Sequence, residues 1–158
     1  MKIAVLAGSF DPVTNGHLNL IKRASRLCDC LYVVVGINLN KHYLFSTKQR
    51  VQFIKDNLKN YPQIKVASYQ GLIVNFMKSH HAKFLIRGVR DSKDFDFERS
   101  LAQMNHHLAP GTETVLLLTS PQETCVSSHA VKEVNHFGGD ISDYVPKNVE
   151  QALLKFRK

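Results

Sequence analysis

The sequence predicts an α/β fold: an open parallel sheet of five strands, helices on both of its faces, and further helices at the C-terminal end. Three observations predict it. Short apolar runs rich in β-branched residues recur along the chain. They are continuous rather than alternating, as expected of strands covered on both faces. Segments with helical spacing or helix-start signals separate them, and such alternation gives parallel strands joined by right-handed crossovers.

The elements follow in order. The first run, residues 3–7, precedes Leu18, Ile21, Ser25 and Cys28, which sit at helical spacing. The second run, 31–37, precedes Ser46 and Gln49, a capping-box pair opening a helix with Val51, Ile54 and Leu58. A third strand, 64–68, leads to a helix over 72–80. A fourth, 83–86, leads to a longer helix marked by Leu101, Met104 and Leu108. The fifth strand, 114–118, leads to a helix over 127–137 that Gly138 and Gly139 close. Pro146 opens a last helix with Val149, Leu153 and Phe156 on one side. This order is Rossmann-like, and residues 1–158 read as a single domain.

Composition narrows the function classes. At 158 residues, with 44% hydrophobic and 22% charged, the chain buries a real core and is neither disordered nor fibrous. No apolar run approaches the ~20 residues a membrane helix needs. The N-terminal apolar stretch ends at Gly8, too soon for a signal-peptide core, so the expectation is a cytoplasmic protein without a membrane partner. The formal net charge of +8 points to an anionic partner. The cations are scattered rather than interleaved with aromatics, so nucleic acid is not expected. Cys28, Cys30 and Cys125 form no CxxC pair and read as reduced thiols. His80-His81 and His106-His107 are adjacent pairs. Helical neighbours diverge by about 100°, so no protein metal site is expected there.

In parallel sheets ligands bind beyond the carboxyl ends of the strands. That rule selects residues 8–15, 38–45, 69–72, 87–93 and 119–126. The first of these loops, with the helix start beyond it, carries Gly8-Ser9-Phe10-Asp11-Pro12 and then Thr14-Asn15-Gly16-His17. Thr14 can cap the helix, which puts His17 in its first turn. The positive end of a helix disfavours an imidazolium, so His17 reads as a neutral donor to a phosphate oxygen. Lys41 and His42 follow the second strand, and Arg87-Gly88-Val89-Arg90 leaves the fourth. Val126-Ser127-Ser128-His129 meets a further helix start. Cations, hydroxyls and helix N-termini at one sheet end suit a ligand with several phosphates.

These motifs resemble the nucleotidyltransferase superfamily with its T/HxGH signature, carried here by Thr14-Asn15-Gly16-His17. Within it the chain is similar to the bacterial phosphopantetheine adenylyltransferases. Lys41, Leu85-Ile86-Arg87-Gly88-Val89-Arg90, Asp94–Glu98, Met104-Asn105 and Val131–Val134 carry the likeness, which extends over essentially the whole chain. The resemblance implies AMP transfer from ATP to 4'-phosphopantetheine with release of pyrophosphate, Mg²⁺ with the ATP, and a homohexamer. It implies that Ser9, Lys41, Ile73 and Arg87 hold phosphopantetheine. Ser9, Phe10, His17, Gly88, Val89, Arg90, Glu98, Glu123, Thr124, Cys125, Val126, Ser127, Ser128 and His129 would hold ATP, with His17 stabilising the transition state.

The residues suit that chemistry. A phosphate monoester is already largely anionic near neutral pH, so no general base is required. The difficulty is bringing two polyanions together, which positioning and charge neutralisation address. Lys41 and Arg87 can neutralise the incoming phosphate, and Arg90 can grip the ATP phosphates. Nothing in these motifs supplies a nucleophile for a covalent intermediate, so direct in-line displacement is expected. One position departs from the family pattern: His129 stands where a hydroxyl residue is usual. Two alternatives stay open, a sister nucleotidyltransferase acting on nicotinate mononucleotide or glycerol phosphate, and a non-catalytic nucleotide-binding module.

Overall fold

The computed structural model describes residues 1–120 and 127–157. Five strands form the sheet: β1 (Ile3–Gly8), β2 (Cys30–Ile37), β3 (Ile64–Gln70), β4 (Phe84–Val89) and β5 (Glu113–Leu118). The helices are α1 (Asn15–Ala24), α2 (Thr47–Asn57), α3 (Ile73–Ser79), α4 (Ser92–Leu108), α5 (Ser128–His136) and α6 (Lys147–Leu153). A short 3₁₀ turn, Leu154–Phe156, follows α6. The sheet order is β3-β2-β1-β4-β5 and every pairing is parallel. The order reverses direction beside β1, which opens a crevice between the carboxyl ends of β1 and β4.

Alternation along the central strands sorts side chains onto two faces. Ala4 and Leu6 of β1, Val33 and Val35 of β2 and Ile86 of β4 pack with Leu18 and Ile21 of α1, Ile54 of α2 and Leu153 of α6. Val5, Val34 and Leu85 point the other way, onto Phe76 and Met77 of α3. The strands expected to be covered on both faces are the central ones. The edge strand β3 alternates exposed and half-buried residues, and β5 is only half-buried, because neither has a neighbour beyond it.

The helix starts follow local chemistry. Thr14 caps α1 and Ser46 caps α2, each in a reciprocal capping box closed by His17 and Gln49. Ser127 caps α5 by accepting from Ala130 N, and Gly138 behind the helix takes a φ of 79°. Three expectations need correction. Helix α1 ends at Ala24, so Cys28 lies beyond it. Strand β4 runs on to Val89 because Arg87, Gly88 and Val89 pair with Leu116, Leu117 and Leu118. Helix α4 exists, yet Met104 and Leu108 are exposed and its buried residue is Glu98.

Candidate active site

Two cavities open at the carboxyl end of the sheet, one of about 540 Å³ and one of about 320 Å³. Arg87 and Glu98 line both and form the wall between them. Arg87 Nε donates to Glu98 Oε2 at 2.9 Å and Nη2 to Oε1 at 2.6 Å, a bidentate pair. A third bond, from Arg87 Nη1 to Ala7 O at 2.6 Å, ties the pair to β1. Glu98 is 6% exposed, so its charge rests on this fork. The resemblance put Glu98 among the ATP ligands; its two carboxylate oxygens face Arg87.

The smaller cavity gathers two helix N-termini. Thr14, Gly16 and His17 bring the start of α1, and Ser127 and Ser128 bring the start of α5. Ser128 Oγ donates to Pro12 O at 2.8 Å, which fastens α5 to the first loop. In the first turn of α1, Thr14, Asn15 and His17 N–H are taken by His17 Nδ1, Tyr144 O and Thr14 Oγ1, so Gly16 N–H and the start of α5 favour an anion there. Gly88 and Arg90 close the cavity from β4. A Cβ on Gly88 would stand 2.6 Å from Leu20 Cδ2, so the glycine lets the Leu20 side chain of α1 lie directly on the strand. Arg90 is held by Asp94 through bonds of 2.8 and 3.2 Å, and the guanidinium keeps the Asp94 carboxyl below its usual range.

His17 is half-buried in this cavity, and the geometry assigns its proton. The Thr14 backbone N–H donates to His17 Nδ1 at 3.0 Å, so Nδ1 is the acceptor and the proton sits on Nε2. The ring packs edge-on against Phe10, with centroids 5.2 Å apart. Phe10 itself takes a φ of 48°, and its ring lies where a Cβ on Gly8 would meet it at 3.0–3.3 Å. Phe10 is buried and lines neither cavity. Desolvation, and then the nearby charge of Arg90, lower the His17 pKa from 6.5 to about 4. Between those values the unfolded chain binds a proton that the folded chain refuses, so stability falls as the pH drops through that window. We expect ring-nitrogen NMR to find the Nε2–H tautomer with a midpoint near 4; an ordinary midpoint near 6.5 would contradict this geometry.

The larger cavity runs from Gly8 and Ser9 past Lys41 and Tyr43 to Ile73 and Arg87. The four residues expected around an acceptor, Ser9, Lys41, Ile73 and Arg87, therefore share one cavity. Ser9 faces this cavity and not the smaller one. Val89 is buried beneath the site. His129 lines neither cavity; it faces a separate depression with Lys132 and Phe137. Its second position in α5 leaves its backbone N–H among the unpaired groups of the first turn. Glu123, Thr124, Cys125 and Val126 lie outside the described residues.

Asp11, Tyr43 and Arg50 stand beside the site without being among the residues expected to hold a ligand. Asp11 is buried and accepts from Leu44 N and Phe45 N, both at 2.9 Å, while Lys132 Nζ approaches at 3.2 Å. It thereby joins the first loop, the segment after Lys41, and α5. The motif around Asp11 was a signal in the sequence; nothing local marked Arg50 or Tyr43.

Two helix starts facing one cavity at the switch point of a parallel sheet define the class: an open α/β fold of the nucleotide-binding kind. The comparisons place the chain within it. Residues 5–134 match the cytidylyltransferase-like family. A phosphopantetheine adenylyltransferase of Levilactobacillus brevis is 49% identical over 154 residues, covering 98% of this chain and 96% of that one. Its namesake in Clostridium botulinum (strain Langeland) is 47% identical over 155 residues, covering 98% and 94%. The solved structure of nicotinic acid mononucleotide adenylyltransferase from Plasmodium falciparum superposes with a TM-score of 0.68 at 15% identity, covering 98% and 95%, and shows the shared fold. The chain belongs to the cytidylyltransferase-like family and, within it, to the phosphopantetheine adenylyltransferases.

Proposed function

We propose that the chain transfers AMP from ATP to 4'-phosphopantetheine, giving dephospho-coenzyme A and pyrophosphate. The observation that carries this reading is the pair of adjoining cavities that share the Arg87–Glu98 wall. The larger suits an elongated acceptor with a terminal phosphate, and the smaller suits a triphosphate on two helix N-termini. An oxygen of the acceptor phosphate attacks the α-phosphorus, the bond to the β-phosphate oxygen breaks, and pyrophosphate leaves with that electron pair. No proton has to move for the step to occur.

His17 Nε2–H donates to the α-phosphate oxygen as charge gathers there. Lys41 meets the acceptor phosphate, and Arg87, Gly88 and Arg90 border the nucleotide, with Ser127 and Ser128 receiving the departing pyrophosphate. Ile73 lines the acceptor's apolar arm. ATP enters as its Mg²⁺ complex, the ion neutralising phosphate charge. Glu98 and Asp94 are both engaged by arginines, which fits an ion held mainly by the phosphates.

Two further parts of the proposal concern the setting. Exposed Phe97, Leu118 and Phe137, at 61%, 73% and 79%, support self-association, which we propose to be a homohexamer. We place the enzyme in the cytoplasm, with ATP and reducing conditions; no helix among the described residues is long and apolar enough to cross a membrane.

The test is pyrophosphate release from ATP and Mg²⁺ with 4'-phosphopantetheine, pantetheine, nicotinate mononucleotide or glycerol phosphate as acceptor. We expect rapid release only with 4'-phosphopantetheine. Comparable release with pantetheine would overturn the reading, because the acceptor phosphate is the nucleophile. Preference for another acceptor would assign a sister activity.

A further inference from the structure

Arg50 lies in the first turn of α2, and its side chain is buried: the residue is 1% exposed. Nη1 donates to Ser9 O at 2.7 Å and to Gly36 O at 3.2 Å, and Nη2 donates to Thr47 Oγ1 at 3.1 Å. The Tyr43 ring covers the guanidinium with its centroid 3.9 Å from Cζ. Nε has no partner among the described residues. None of the described ion pairs includes Arg50. A buried guanidinium stays charged, and a charge without a counter-ion is costly to bury. Carbonyls soften that cost without cancelling the charge.

Its partners say what this charge serves. Ser9, Gly36 and Tyr43 all line the larger cavity. By holding the Ser9 and Gly36 carbonyl oxygens on the protein side, Arg50 keeps their lone pairs from an entering anion. The charge count points the same way. Arg87 is already balanced by Glu98, whereas Lys41 belongs to none of the described ion pairs. Among the described residues, a phosphate dianion entering the cavity therefore meets one uncompensated cation at the rim, Lys41, and Arg50 is the second, behind the wall.

We propose that Arg50 is a positioning residue for the acceptor phosphate: it fixes the Ser9–Gly36–Tyr43 wall and supplies the second net positive charge that a phosphate dianion requires there. The proposal rests on reading the larger cavity as the acceptor site. It predicts an effect on the phosphorylated acceptor that a merely structural arginine would not produce.

The test is calorimetric binding of 4'-phosphopantetheine and of pantetheine to the intact protein, wild type and the variants Lys41→Ala, Arg50→Met, Arg50→Gln and Arg50→Lys. Circular dichroism reports folding. At an effective dielectric near 20, a unit charge about 12 Å from a single negative charge is worth on the order of tenfold in affinity. Arg50→Met should therefore lose about tenfold for 4'-phosphopantetheine and less than about threefold for pantetheine. Equal losses for the two ligands would reduce Arg50 to a structural clamp and overturn the proposal. If Arg50→Met does not fold, Arg50→Gln decides: it removes the charge, keeps an amide donor for the carbonyls and should show the same split, equal losses again overturning the proposal. Arg50→Lys tests the positioning separately. An ammonium keeps the charge but cannot span three acceptors. That variant should bind both ligands several-fold more weakly and retain the preference for phosphate. Unchanged binding of both ligands would overturn the proposal. If the wild type itself shows no preference for the phosphorylated ligand, the acceptor-site reading fails and this proposal with it. If Lys41→Ala loses the preference while Arg50→Met keeps it, the role of Arg50 alone is overturned.

Discussion

Replacing His17 with alanine is expected to lower turnover by about 10²–10³-fold while ATP affinity stays within a few-fold, as for loss of a donor aimed at developing charge. The reasoning is geometric. The Thr14 N–H occupies Nδ1, which leaves Nε2–H as the one ring donor, and the lowered pKa keeps that donor neutral throughout the physiological range. A neutral donor binds a ground-state phosphate weakly and gains as the α-phosphorus accumulates charge in the transition state. His17 also closes the capping box of α1, so the alanine variant loses some helix stability. His17→Gln separates the two roles. A glutamine oxygen can accept from the Thr14 N–H and restore the cap, yet its amide does not reproduce the imidazole donor. Restored melting temperature with turnover still low is the expected pattern. If turnover and ATP affinity fell together by one factor, His17 would be a binding residue only.

Removing Arg87 has the largest expected effect on stability. Glu98 would remain buried with both oxygens unpaired, a situation that costs about 3–5 kcal/mol. We expect Arg87→Met to lower the unfolding free energy by about that amount in urea titrations. The double variant Arg87→Met/Glu98→Met should regain most of the loss, since two apolar groups can replace a buried ion pair at little net cost. Activity should stay absent in both, because the wall between the cavities loses its charge and the anchor to Ala7 O. A single-variant cost below about 1 kcal/mol would mean that water reaches Glu98 and that the pair contributes as a surface ion pair does.

The contrast between these residues shows how far the sequence could be read. Local signals carried well. Thr14 and Ser46 cap the helices they were expected to cap, and His17 stands three residues after its cap, because capping chemistry is decided within one turn. The five strands and their parallel pairing followed from apolar runs separated by helices, though not the order in which they lie side by side. Partnerships across the fold did not carry. Glu98 reads as an ordinary helix charge until α4 is laid against β4, where it meets Arg87. Arg50 looks like any exposed helix cation, and its carbonyl partners lie 41 and 14 residues away. The apolar run alone ends β4 too early because Arg87 interrupts it; pairing with β5, which no local pattern reports, extends the strand to Val89. Met104 and Leu108 keep helical spacing and yet face outward, so spacing fixed the helix and not its buried side.

The central claim is that AMP passes directly from the nucleotide cavity to the acceptor phosphate across the shared Arg87–Glu98 wall. Stereochemistry at the α-phosphorus tests it most directly. The measurement uses one diastereomer of ATP carrying sulfur at the α-phosphorus, with 4'-phosphopantetheine as acceptor, and determines the configuration of the thio-product. A single in-line displacement inverts the phosphorus, and inversion is the predicted result. Retention would require two displacements and an adenylylated residue of the enzyme, and would contradict the account.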